Sequence, residues 1–262
     1  MKGIIHIFKF VFLDNLRSAW AIAYMLFFAV STYALIYFTG SFTRSMVSIM
    51  NIVILIAPLV STMMTAMYYF NKTDLLYLLL AQPVKRAHIF IGMYLGIALT
   101  LCLSVGLGLG LGMLVGMSYI ENLNLLLTLI FSGMMLSLIF SAISLLISVA
   151  SKDKLKGVGL SLLTWLFMAV IYDGLLLIYF VAFADYPIEQ HAIVLSVLNP
   201  IDLSRIFIML QLDISALMGY SGAVFQQFFG TTAGMIICIS VSLLWVIFPV
   251  ALLLYKARRK DY

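Results

Sequence analysis

The chain has 262 residues, of which 65% are hydrophobic and 10% are charged, against about 25% charged in an ordinary soluble domain. Mean hydropathy is +1.17, more apolar surface than a soluble globule of this size has interior to hide. A soluble enzyme, a nucleic-acid-binding domain and a disordered regulator are excluded. The formal charge of +5 then belongs to membrane-flanking loops. Long unbroken apolar runs, rather than short alternating ones, predict helices, which satisfy their own backbone in lipid.

In the first segment, Lys2, His6 and Lys9 recur at helical spacing with Ile4, Ile5, Phe8 and Phe12 between them. That pattern predicts an amphipathic helix lying in the membrane interface. Asp14 and Arg17 follow the apolar stretch without a small-x-small cleavage site, so the segment does not read as a signal peptide. Six spans follow, at 20–38, 47–70, 89–115, 123–150, 158–182 and 231–255. Lipid hydrocarbon of about 30 Å needs about 20 residues of helix. No connection holds a soluble domain, so residues 1–262 read as one all-α transmembrane domain.

With the N-terminus inside, the inner side collects 13 of the 15 Lys and Arg residues, and the outer side keeps Arg44 and Arg205. This bias predicts that both termini are cytoplasmic. Cys102 and Cys238 lie within apolar runs and form neither a disulfide pattern nor a metal motif.

The third span carries Gly106, Gly108, Gly110, Gly112 and Gly116. The spacing is not that of a phosphate loop, which needs a lysine and a strand-to-helix turn. Glycines four apart suit close helix packing. The three histidines, His6, His88 and His191, are scattered, and no metalloprotease or nucleophile-elbow motif occurs. No catalytic residue is assigned, and the chain is not read as an enzyme. Asp173 is the intramembrane polar residue, and a charge there must face protein or water. Its two readings are a structural pair with Arg205 or Tyr172, and a functional group. Met63, Met64 and Met67 cluster on the second span. Thioethers favour Cu(I), but Met also fills apolar interiors adaptably, and no metal site is assigned.

Between spans two and three the chain reads NKTDLLYLLLAQPVKRAHIFIG. Thr73 is placed to cap a helix beginning at Asp74. Leu75, Leu76, Leu79 and Leu80 form one face, Pro83 stops the helix, and Lys85 and Arg86 follow. The result is a short cytoplasmic helix along the membrane. Between spans five and six lies the longest outer segment. There Asn199 is set to be an N-cap, Pro200 the first helical residue and Asp202 the third. Arg205 stands within reach of Asp202. Residues 217–229 are apolar but broken by Gly219 and Gly222, with Gly230 following, which predicts short re-entrant helices. This segment is either a hydrophobic lid or a platform for an external partner.

The run from Thr73 to Arg86, with LLLAQPVKR followed by GMYLG, resembles the coupling-helix region of type 2 ABC exporter permeases. The layout of the whole chain is similar to that family. Asn71 and Lys72 stand where the family commonly has acidic residues. The resemblance implies a bacterial inner-membrane permease that works as a dimer with a second copy of itself, or paired with a similar permease. It implies a separate cytoplasmic ATP-binding-cassette subunit that holds ATP and magnesium, docking at Thr73, Asp74, Gln82, Pro83 and Arg86. This chain would bind no cofactor itself; membrane lipids surround it and nucleic acid has no place. The stretch LNPIDLSRIFIMLQLDISALMGYSGAVF also resembles NosY-type permeases, which serve copper-site maturation of nitrous oxide reductase. That narrower resemblance implies a periplasmic β-helical copper-delivery protein as partner. It places Asn199, Pro200, Asp202 and Arg205 on the surface facing it. The alternatives are an exporter of a drug, peptide or lipid-like molecule and, in another class, an intramembrane enzyme or a scaffold.

Overall fold

Every element of the computed structural model, which describes residues 2–81, 84–115, 123–183, 189–211 and 232–259, is helical. In chain order the elements are α1 (Lys2–Leu16), α2 (Ala19–Thr39), α3 (Phe42–Asn71), α4 (Thr73–Leu80), α5 (Arg86–Val115) and α6 (Leu123–Ala150). There follow α7 (Lys154–Leu166), a π turn (Phe167–Ile171), α8 (Tyr172–Ala182), α9 (Glu189–Val197), α10 (Pro200–Gln211) and α11 (Thr232–Arg259). Six helices are long and apolar enough to cross a membrane, with α7, the π turn and α8 acting as one. The chain is a multi-pass membrane protein.

The centre is built by α3, α5 and α6, whose mutual faces bury Met46, Met50, Val53, Phe90, Ile97 and Phe140. α5 and α6 are the most enclosed spans; α7–α8 and α11 lie at the edge, with their apolar faces outward. In lipid those outward faces need no protein cover. α5 and α6 are apolar all round, as central helices are.

Glycines set two of the closest approaches. A methyl group at Gly108 would lie 2.6 Å from the Met25 carbonyl oxygen, and one at Gly112 2.6 Å from that of Ala29. The α2 backbone therefore rests directly on this glycine pair, the packing predicted from the i, i+4 spacing. Gly116 lies outside the described residues. One helix turn after another, Gly92 and Gly96 receive Ile7 and Val11 of α1; a methyl there would sit 2.9 and 2.7 Å from them.

That docking adds a packed side to α1. The helix exists over the expected residues, and its buried line is Ile7, Val11 and Asn15. Ile5, assigned to the apolar interfacial face, is 58% exposed. α1 has two apolar sides: one packs on α5, and the other (Ile5, Phe10, Leu13) faces outward. The glycine pair on α5 is what allows the first.

The connection between α2 and α3 is shorter than expected. Gly40 ends α2 at φ 61°, the left-handed conformation that glycine adopts without strain, and α3 begins two residues later. Within α3, Pro58 removes a backbone donor. Near it the Trp165 indole of α7 donates to the Leu55 carbonyl at 3.2 Å.

Candidate functional site

Two polar assemblies stand at opposite ends of the bundle. The first is a basic end. Lys72 follows α3 directly, and its ammonium meets the Asp14 carboxylate of α1 at 2.9 Å. The neighbouring Asn71 accepts a hydrogen bond from Lys154, the first residue of α7, at 2.8 Å. Lys152 and Lys256 line one groove between the last turns of α6 and α11. The ends of α1, α3, α6 and α11 and the start of α7 thus converge, which brings together cations that the sequence scatters over 180 positions.

α4 grows out of this end. Only Lys72 separates it from α3. Thr73 does not cap it. It is the first helical residue, and its hydroxyl donates back to the Phe70 carbonyl at 3.1 Å. The tight α3–α4 turn leaves no extended residue before the helix, and an N-cap side chain needs one. Leu76 is 1% exposed and anchors α4 to the core, with Leu79 and Leu80 beside it. The other side shows Asp74, Tyr77, Leu78 and Ala81, one stripe at i, i+3, i+4 and i+7. Leu78 is 69% exposed. Asp74 sits in the first turn, where a negative charge suits the helix dipole. Lys85 and Arg86 are exposed where α5 begins. Gln82 and Pro83 lie outside the described residues.

The second assembly is at the other end. α10 packs near the start of α6 through Phe131 and Phe207 and near the start of α11 through Leu203 and Cys238. Arg205 on α10 holds two carboxylates: Asp173 of α8 at 2.9 Å and Asp202 at 3.0 Å. Asp173 therefore takes the structural pair proposed for it. Tyr172 next to it donates instead to the Leu195 carbonyl at 2.6 Å.

Asn199 ties this cluster to the fifth span. Its side-chain oxygen accepts from the Ile201 amide, the N-cap bond predicted for it. Its amide nitrogen donates to the Met168 carbonyl at 2.8 Å and to Asp202 at 3.1 Å. Met168 lies in the π turn, so the asparagine joins the start of α10 to the irregular part of the fifth span.

Burial pushes the Asp202 carboxyl up to about 7, helped by the charge of Asp173 and a hydrogen bond with it; Arg205 and Asn199 pull the other way. Two acids share one guanidinium, and Asp173 Oδ1 is buried without a hydrogen-bond partner among the described residues.

Asn199 and Asp202 are 1% and 6% exposed, and Pro200 is buried as well. These three face the protein interior, so they cannot themselves touch a partner as the sequence reading placed them. The resemblance alone makes them candidates for that surface; in the structure the Asn199 bond to the Met168 carbonyl, and Arg205 holding both Asp202 and Asp173, tie this stretch to the fifth span. Arg205 keeps about a third of its side chain exposed. The expected re-entrant stretch 217–229 lies outside the described residues.

Met63, Met64 and Met67 line a groove at the basic end with Leu59, Val60 and Trp20. Among the described residues no group of three or more His, Cys, Asp or Glu side chains could hold a metal. Cys102 and Cys238 are free and buried. Sequence reasoning missed the Asp14–Lys72 and Asn71–Lys154 links. The signal for the first was Asp14, one of few acids on a side rich in Lys and Arg. No protein-family model and no curated protein matches the chain.

Proposed function

We propose that this chain is the membrane-spanning permease subunit of an ABC transporter, and that α4 is the element on which a separate ATPase docks. The observation that carries this reading is the two-sided character of α4. Leu76 fixes one side in the core, while Asp74, Tyr77, Leu78 and Ala81 are exposed on the other. An eight-residue helix with an exposed Leu and Tyr at the basic end has the form of a helix-in-groove ligand. ATP hydrolysis belongs to the partner, and this chain supplies the lever.

The connections around α4 explain how a push would travel. α4 is joined to α3 through Lys72, which is tied to α1 by Asp14 and, through Asn71, to α7 by Lys154. α7 continues through the π turn into α8, where Asp173 holds Arg205 of α10. π turns inside α-helices are frequent at functional sites. Motion at α4 would arrive at α10 through this chain of packed elements. The concentration of cations at the α4 end supports a cytoplasmic α4 and an α10 on the far side, by the positive-inside bias.

Within this class, the resemblance around Asn199–Arg205 supports an output directed at a periplasmic partner in copper-site maturation of nitrous oxide reductase. Export of an apolar molecule is the other output open to the same lever.

The test is Leu78→Asp, with Tyr77→Ala beside it, measured as ATP hydrolysis by the complex in native membranes. Tyr77 is 54% and Leu78 69% exposed, so the fold should survive. We expect hydrolysis or its coupling to fall at least about tenfold, about 1.4 kcal/mol of docking energy. Wild-type hydrolysis and complex yield in both variants would remove α4 as the dock.

A further inference from the structure

A groove of about 560 Å³ opens at the basic end between the α1–α2 junction and the last turns of α3. Its bed is apolar: Leu59, Val60, Met63, Met64 and Met67. Its mouth is polar, with Arg17, Lys72, Asp14 and Asn15. Asp14 is taken up by Lys72 at 2.9 Å. Arg17 is exposed and makes no ion pair among the described residues. The mouth therefore carries one surplus positive charge.

The level of the groove in the molecule narrows the ligand. It lies where α1 turns into the first span and where the second span ends. Trp20 lines it and is 66% exposed, in the manner of an interfacial aromatic anchor. The polar mouth is at the helix ends and the methionine bed runs toward the hydrocarbon. Flexible Met side chains adapt to an acyl chain.

We propose that this groove is a binding site for an anionic phospholipid, whose phosphodiester meets Arg17 while an acyl chain lies along Met63, Met64 and Met67. A basic pocket between spans at the membrane boundary is a recurrent way to hold such a headgroup. The surplus single charge matches a monoanionic phosphodiester; the ammonium of a zwitterionic lipid adds a cation to a mouth that already holds two. The inference does not depend on the ATPase reading.

The test is native mass spectrometry of the delipidated full chain, titrated with phosphatidylglycerol and with phosphatidylcholine of the same acyl chains. One phosphatidylglycerol should be retained in preference to phosphatidylcholine. Arg17→Gln should weaken it about five- to tenfold, Met64→Trp should displace it by filling the bed, and Arg44→Gln at the opposite end should leave it unchanged. Arg17 is exposed, so its variant tests the site even if Met64→Trp fails to fold. Equal retention of the two lipids, or wild-type retention in Arg17→Gln, would overturn the proposal. So would a lipid-free dimer whose contact covers the groove.

Discussion

Arg205 is the residue on which the far end of the bundle turns. Its guanidinium is a planar fork that meets Asp173 and Asp202 at once. Arg205→Ala leaves two carboxylates close together without their cation, and we expect a loss of about 2–4 kcal/mol, read as a fall in thermal midpoint. Arg205→Lys, a point charge, should recover only part of it. Asp202 gives a pH signature. Its carboxyl is held up to about 7 in the fold, against about 4 in an unfolded chain. Ionising it in the fold therefore costs more than in the unfolded chain. Its contribution is whole below about pH 4 and is lost as pH rises through about 7. The thermal midpoint should drop more between pH 5 and 8 in the wild type than in Asp202→Asn; parallel curves would show that the group does not titrate there. The N-cap role of Asn199 and the Asp202–Arg205 pair were legible at this scale because both are local, within six residues. The Asn199–Met168 bond was not: it depends on a π turn 31 residues away, and nothing in FMAVI announces one.

At the scale of elements, packing is carried by small residues, which let backbones touch. Gly108→Val and Gly112→Val would drive branched side chains into α2 carbonyls, costing about 1–3 kcal/mol each by overpacking. Gly110→Ala, where no atom lies within 4 Å of the new methyl, should be nearly neutral and serves as the control in the same melting series. The glycine motif was readable because its period is helical. The second face of α1 was not, because Ile7 and Val11 look no different in sequence from Ile5 and Phe10; only Gly92 and Gly96 on another helix decide which side is buried. At the α3–α4 junction, Lys154→Ala should change stability by under about 1 kcal/mol, as exposed polar pairs do. If Asn71–Lys154 relays motion into α7, coupling between hydrolysis and output should fall by much more than stability, while hydrolysis itself persists.

For the whole molecule, span number and helical class followed from composition and run length, since lipid leaves the backbone few solutions. The gathering of cations at one end is geometric, seen in Asp14–Lys72 and Asn71–Lys154; which compartment that end faces rests on the charge bias. Single cysteines at Ser41 and at Lys152, in a Cys102→Ser, Cys238→Ser background, should label with a membrane-impermeant maleimide from opposite sides of intact cells. Ser41→Cys should react from outside and Lys152→Cys only after permeabilisation; the reverse would invert the topology and move α4 away from any cytoplasmic ATPase. The central claim is that α4 holds such a subunit. It is tested most directly by purifying the tagged chain from native membranes, beside Leu78→Asp, and identifying by mass spectrometry what accompanies each. The account predicts an ATP-binding-cassette subunit with the wild type that is depleted in the variant at equal permease yield. An intact wild-type permease that brings no ATPase, under detergent conditions that preserve other membrane complexes, would contradict it.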